Sequence, residues 1–230
     1  MSPFVKSTWY GEDGYFGIDT GLRLDLALNG VGIRSGGLPR VREGAEFDMH
    51  DAVTISLLGK ERPHGEVTVF PSDPKGNVFG RIGAAHFEDR VLAVDPAGPS
   101  IGVTVRHWQP VGQGWTRLSI TGPSGLPVTA DVRLPTVPEH RFLTLLSTSA
   151  PSSLVASTLV PNWREEERDV EWGDARLQQV MLRPGGLPEY AVPLGGNLGM
   201  LLGADVLCRF LTVFDFRGRT IWMRAYPGAV

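Results

Sequence analysis

"GNVFGRIGAAHFEDRVLAVDPAGPSIGV", residues 76–103, returns as "GNLGMLLGADVLCRFLTVFDFRGRTIWM", residues 196–223, with a constant shift of 120 and no gap. Seven of the 28 positions are identical: Gly76/Gly196, Asn77/Asn197, Gly83/Gly203, Ala84/Ala204, Asp95/Asp215, Gly98/Gly218 and Ile101/Ile221. Ordinary composition would give roughly two. Further pairs such as Ile82/Leu202 and Val91/Leu211 are apolar in both copies. The match reads as an internal duplication. Each copy predicts a glycine-ended strand, a short helical turn ("AAHFEDR", "ADVLCRF"), a β-rich run ending in Asp, a glycine turn and a final strand. Two lobes follow, 1–105 and 106–230.

A duplicated lobe needs a counterpart for whatever stands upstream of the first copy. There "GYFGIDTGLRLDL" (residues 14–26) carries Asp19-Thr20-Gly21 after an apolar run. Taken alone, Asp followed two residues later by Gly is an ordinary turn signal. Setting "GIDTGLRLDLAL" over "LLSTSAPSSLVA" places Ser147-Thr148-Ser149 opposite Asp19-Thr20-Gly21, now with a shift of 128. The second lobe is then eight residues shorter between its two motifs, an ordinary loop difference on a shared scaffold.

An apolar strand ending in Asp-Thr-Gly, then an apolar-Gly element, a short helix and "TVFD", resembles one lobe of an aspartic protease of the retropepsin-like or pepsin-like kind. "LLGADVLCRFLTVFDFRGRTIWM" is the strongest match, and Asp19-Thr20-Gly21 with "RIGAAHFEDRVLAVD" resembles the same elements in the first lobe. The motifs cover about a third of the chain. The resemblance implies an all-β, bilobal fold, with two pseudo-twofold-related, barrel-like, six-stranded lobes and a substrate cleft between them. It also implies one catalytic Asp per lobe, the two sharing a proton, with the threonines interlocked beneath them. Here the threonines, Thr20 and Thr148, are both kept, while the second Asp has become Ser147. Leu22 follows the first motif where the family has a small residue, and Gly21 has become Ser149.

Bulk composition narrows the classes. Gly 29 and Pro 18 of 230 residues call for many turns and short elements. The net charge is −3, and no Lys/Arg block exceeds two residues, so a nucleic-acid footprint is not expected. A single Cys208 excludes an intramolecular disulfide. His50, His64, His86, His107 and His140 lack metal-ligand spacing and read as surface or packing residues. No metal or cofactor is expected. The N-terminus has no signal-peptide pattern and no apolar run reaches 18 residues, so a cytoplasmic protein without a membrane span is expected. Monomer or weak homodimer is the expected assembly.

Other features carry weaker signals. "RSGGLPRVREGAEFDMH" (34–50) falls where a retropepsin-like flap would stand, and Gly36, Gly37 and Gly44 suit either a mobile cover or a plain surface loop. The strands expected after it are "AVTISLLG" and "GEVTVF". "NWREEERDVEWGD" (162–174) reads as a solvated loop or short helix, with Trp163 and Trp172 as alternative cleft residues. Asp25 and Asp205 are further carboxylates near the motifs, Asp25 expected to face solvent from an alternating strand. The chain has no P-loop and no G-x-S-x-G elbow.

These readings give a catalytic set of Asp19, Thr20, Ser147 and Thr148, with Gly21, Leu22, Ser149, Gly36 and Gly37 as substrate-binding residues. The leading expectation is a non-proteolytic enzyme using Asp19 as general acid or base on a small or peptide-like substrate. An aspartic endopeptidase drawing its second carboxylate from elsewhere, and a non-catalytic peptide-binding pseudoprotease, are the alternatives.

Overall fold

The structure, a computed structural model, describes residues 3–36, 48–50, 53–57, 60–64, 67–69, 76–98, 100–106, 108–122, 125–137, 142–158, 162, 164–187 and 198–228. Its first half holds β1 (Phe4–Trp9), β2 (Glu12–Asp19), β3 (Leu26–Leu28), helix α1 (Gly30–Gly36), β4 (Asp48–His50), β5 (Val53–Leu57), β6 (Lys60–His64), β7 (Val67–Val69), β8 (Val78–Gly83), β9 (Val91–Asp95) and β10 (Ser100–Thr104). Its second half holds β11 (Trp115–Ser119), β12 (Val128–Thr129), β13 (Val132–Arg133), β14 (Leu143–Leu146), β15 (Ser153–Ala156), β16 (Glu166–Trp172), β17 (Ala175–Gly185), β18 (Leu198–Leu202), helix α2 (Ala204–Leu207), β19 (Phe210–Asp215) and β20 (Thr220–Ala225).

The chain is all-β and bilobal. A six-stranded sheet, β1-β2-β8-β3-β7-β4, belongs to the first half, and a seven-stranded sheet, β12-β14-β18-β15-β17-β16-β13, to the second. A five-stranded sheet, β10-β9-β19-β20-β11, takes strands from both. The lobes therefore differ from the expected pair of six-stranded units. Each half sends its last hairpin into a common sheet, and residues 105 and 106 lie between β10 and β11 of that sheet.

The duplication is visible in backbone register. Beta strand β8 runs parallel to β2 and antiparallel to β3, as β18 does to β14 and β15. Ile18 faces Ile82, and Leu146 faces Leu202, so the shifts of 128 and 120 meet in equivalent pairs. Ala84 N–H donates to the Leu22 carbonyl and Ala204 N–H to that of Ala150, both at 2.7 Å. In the common sheet Ala93 faces Val213, its own repeat partner. An antiparallel pair in which a residue faces its own copy places a local twofold axis between the two strands. One detail departs from this symmetry: Leu26 faces Ile82, but Leu154 faces Leu201 rather than Leu202.

Burial explains the register. Phe16, Ile18, Ile82, Leu26 and Leu28 pack inward from adjacent strands, and Leu146, Leu202, Met200 and Val155 do so in the second half. Burying each such side chain contributes about 1.5–3 kcal/mol relative to exposure. A one-residue slip would turn all of them outward.

Three local expectations are corrected. Residues 166–172 form strand β16, not a loop or helix: Val170 and Trp172 alternate into the core, and the Trp172 ring stacks on Phe210 at 5.9 Å. Strand β5 pairs with Lys60–His64, not with the following "GEVTVF" run, whose β7 instead joins β3 and β4. Asp25 precedes β3 rather than standing on it and is half-buried, its carbonyl accepting the Gly83 N–H.

Candidate functional site

Asp19 is the last residue of β2, opposite Gly83 of β8. A side chain on Gly83 would place its Cβ 1.8 Å from the Leu24 carbonyl oxygen, so glycine is required for the chain after the motif to fold back over the strand end. Gly203 does the same in the second half, where an added Cβ would lie 2.7 Å from the carbonyls of Ala150 and Ser152. These two glycines let the motif loops meet at the lobe junction.

They meet through the threonines. Thr20 Oγ1 donates to the Leu146 carbonyl at 2.8 Å, and Thr148 Oγ1 donates to the Ile18 carbonyl at 2.7 Å. In return, Thr20 N–H donates to Thr148 Oγ1 at 3.2 Å, and Thr148 N–H to Thr20 Oγ1 at 3.1 Å. All four bonds are buried, and each maps onto another under the shift of 128.

Above this brace sits an unlike pair. Ser147 Oγ donates to Asp19 Oδ1 at 3.4 Å, a long contact, and Gly21 N–H donates to the same oxygen at 3.0 Å. Ser147 Oγ also accepts the Ala150 N–H at 3.2 Å and lies 3.4 Å from Ser149 Oγ. Asp19 is 1% exposed and Ser147 fully buried. Gly21 closes the approach: a Cβ there would fall 2.7 Å from Ser147 Oγ.

The second oxygen of Asp19 belongs to a residue that the sequence reading missed. Arg81 Nη1 donates to Asp19 Oδ2 at 3.1 Å, with the Arg81 side chain 58% exposed and that of Asp19 2% exposed. Arg81 stands in the middle of β8, where the repeat has Leu201. That exchange of charge for leucine inside a duplicated strand was the signal available. The carboxylate therefore has donors on both oxygens: an amide and a hydroxyl on one, a guanidinium on the other.

Of the residues singled out from sequence, Asp19, Thr20, Gly21, Ser147, Thr148 and Ser149 come together here. Leu22, 3% exposed, is a core residue whose N–H returns to the Asp19 carbonyl. Gly36 ends helix α1 instead of lying in a loop. That helix is capped by Asn29 Oδ1, which accepts the N–H groups of Val31 and Gly32, and is tied to β1 by the Trp9 indole N–H on the Gly32 carbonyl. Gly37 and Gly44, like Trp163, lie outside the described residues. Asp205 is a structural acceptor for Ser153 N–H and Oγ–H at 3.0 and 2.8 Å. Among the described residues no three His, Cys, Asp or Glu side chains converge as a metal site, and no helix is long and apolar enough to cross a membrane.

No protein-family profile matches the chain, and no curated protein matches its sequence. In fold the chain is similar to the crystal structure of conglutin gamma, described as a unique basic 7S globulin from lupine seeds. The TM-score is 0.52 and the identity 9%, over 97% of this chain and 90% of that one. At that identity the likeness speaks to the fold alone.

Proposed function

We propose that this chain is a non-proteolytic protein of the aspartic-protease type of fold, with lobes 1–105 and 106–230, that binds a small or peptide-like ligand at the lobe junction over Asp19. One observation carries this reading: the group facing Asp19 across the twofold is the Ser147 hydroxyl, at 3.4 Å from Oδ1. Peptide hydrolysis by an acid pair needs one ionised and one neutral carboxyl group on the same water. A serine hydroxyl donates a hydrogen bond there but does not exchange its proton at accessible pH. The preserved threonine brace supports a retained junction, and the serine supports a lost dyad.

Asp19 acting as general acid or base on that ligand is the second reading. A buried carboxylate flanked by a hydroxyl and a guanidinium favours it. Against it stand the 1% exposure of Asp19 and the donors on both of its oxygens. A diverse peptide library passed over the immobilised chain and read by mass spectrometry tests the proposal. Peptides retained intact are the expected result. Cleavage products that Asp19→Asn abolishes would overturn it, and a chemically altered but uncleaved ligand lost in the same variant would promote the acid–base reading.

A further inference from the structure

The proposed ligand site contains a cation that neither the dyad nor the threonine brace explains. Arg81 lies on the same face of the first sheet as Asp19: the residues in one row across that sheet are Phe4, Gly17, Arg81 and Ala27. Asp19 is two residues along β2 from Gly17, so its side chain leaves the same face. The stem of Arg81 crosses Gly17, where an added Cβ would stand 3.7 Å from Arg81 Cγ and 3.5 Å from the Phe4 ring. Its strand neighbours on either side are thus a glycine and an alanine, which leave its flanks open.

A guanidinium carries five N–H donors in a rigid fork. Asp19 takes one Nη1 donor, and no other protein acceptor meets the fork among the described residues. Its Nη1 is held by Asp19, and 58% of the side chain is exposed. Asp19 itself is anchored by Gly21 N–H and Ser147 Oγ–H, so the brace cannot swing away with the arginine. A buried carboxylate that takes one Nη1 donor leaves the remaining donors of the fork for a planar, bidentate anion.

We propose that Arg81, positioned by Asp19, recognises a carboxylate of the ligand, so that the site takes acidic peptides or small carboxylic acids. This rests on the ligand-binding reading above. Recognition is local, because a chain of net charge −3 does not draw an acidic ligand by its overall field. The two halves also differ here, because the equivalent place in the second half is held by Leu201, which is fully buried.

The test uses two fluorescent peptide pools matched at every position. One carries Asp and Glu with free C-terminal carboxylates, the other Asn and Gln with C-terminal amides. Fluorescence anisotropy is measured with the full chain, with Arg81→Leu, which copies the second half, and with Arg81→Lys. The acidic pool is expected to bind about tenfold more tightly, a preference worth about 1.4 kcal/mol. Arg81→Leu should erase the preference, and Arg81→Lys should restore part of it, since a point charge lacks the fork. If Arg81→Leu does not fold, Arg81→Lys and Arg81→Gln carry the comparison. Equal binding of both pools, or an acidic preference indifferent to residue 81, overturns this inference and leaves the ligand-binding reading standing. Binding of neither pool overturns both.

Discussion

Thr20 and Thr148 hold one another across the lobe junction by reciprocal bonds, each hydroxyl accepting the other's N–H while donating to a carbonyl of the opposite lobe. Both side chains are buried, at 0% and 3% exposure. Thr20→Val keeps the shape and removes the hydroxyl, so Thr148 N–H loses its acceptor and Thr20 its bond to Leu146. The expected loss is about 2–4 kcal/mol, combining a buried unsatisfied donor with a lost hydrogen bond. Thr148→Val should cost a similar amount. The double variant should cost less than the sum, because both changes break the same network. Thr20→Ser keeps the hydroxyl and should cost about 1 kcal/mol, the value of a methyl group. Urea unfolding of the four variants measures all of this.

The duplicated halves were legible as a gapless repeat, and the threonine brace as what the resemblance implies for Thr20 and Thr148, although its bonds join residues 128 positions apart. Gly83 and Gly203 are required by carbonyls that lie close in space. Asp95 and Asp215 each accept the N–H of the glycine three residues on, Gly98 at 3.2 Å and Gly218 at 2.7 Å, so the repeat keeps both members of each turn. Strand β16 was misread because Glu166, Glu167, Arg168 and Glu171 mask the period of two in Val170 and Trp172. The turn signal was also present: Gly173-Asp174 is the two-residue loop joining Trp172 to Ala175, with Gly173 at φ +55°. For Arg81 the sequence offered only its exchange for Leu201 in the repeat; its partner lies 62 positions earlier, and the parallel pairing of β2 with β8 joins them.

Gly21 is set by Ser147. An alanine Cβ at 21 would lie 2.7 Å from Ser147 Oγ and 2.8 Å from its Cβ, and Ser147 is fully buried. Gly21→Ala should therefore lower stability by about 1–3 kcal/mol through overpacking at the junction. Adding Ser147→Gly removes both atoms that clash and should recover part of the loss. The pair of melting temperatures, single against double variant, reads the coupling. A Gly21→Ala protein as stable as the parent would contradict the close approach.

Tyr226 and Asp95 make the clearest pH-dependent contact. Partial burial, and after it the hydrogen bond to Asp95, push the Tyr226 phenol up from 10.0 to about 12. The same bond holds the Asp95 carboxyl below its ordinary value, helped by the Gly98 and Ala97 N–H groups and opposed by burial. A phenol raised in the folded state stabilises the fold fully below pH 10, and that contribution is lost as pH rises from 10 to about 12. Asp95 works in the opposite sense, its contribution present above the unfolded value of 3.8 and lost as pH falls through the lowered folded value. Tyr226→Phe should flatten the alkaline decline of melting temperature relative to the parent. In ultraviolet titration of the folded chain, one of its 4 tyrosines should ionise late, and that step should vanish in the variant.

Ser147→Asp tests the proposal that the junction lacks a carboxyl pair. It sets a second carboxyl group beside Asp19, where the Ser147 oxygen now stands 3.4 Å from Oδ1. Two carboxylates that close do not both ionise readily, so one folded-state pKa rises. By linkage, the variant should be nearest the parent in stability at acid pH and fall behind as pH rises through that value. Arg81 opposes the introduced pair in a further way, because it already holds Oδ2 of Asp19. Cleavage of a peptide library between about pH 3 and pH 8 is therefore expected to be absent in the parent and in Ser147→Asp, with proton sharing blocked by the guanidinium in the latter. Arg81→Leu combined with Ser147→Asp frees both carboxyl groups, and weak acid-optimum cleavage is expected from that chain alone. Cleavage by the parent that Asp19→Asn abolishes would show that a second carboxylate reaches Asp19 from elsewhere and would remove the basis for reading Ser147 as the lost half of a dyad.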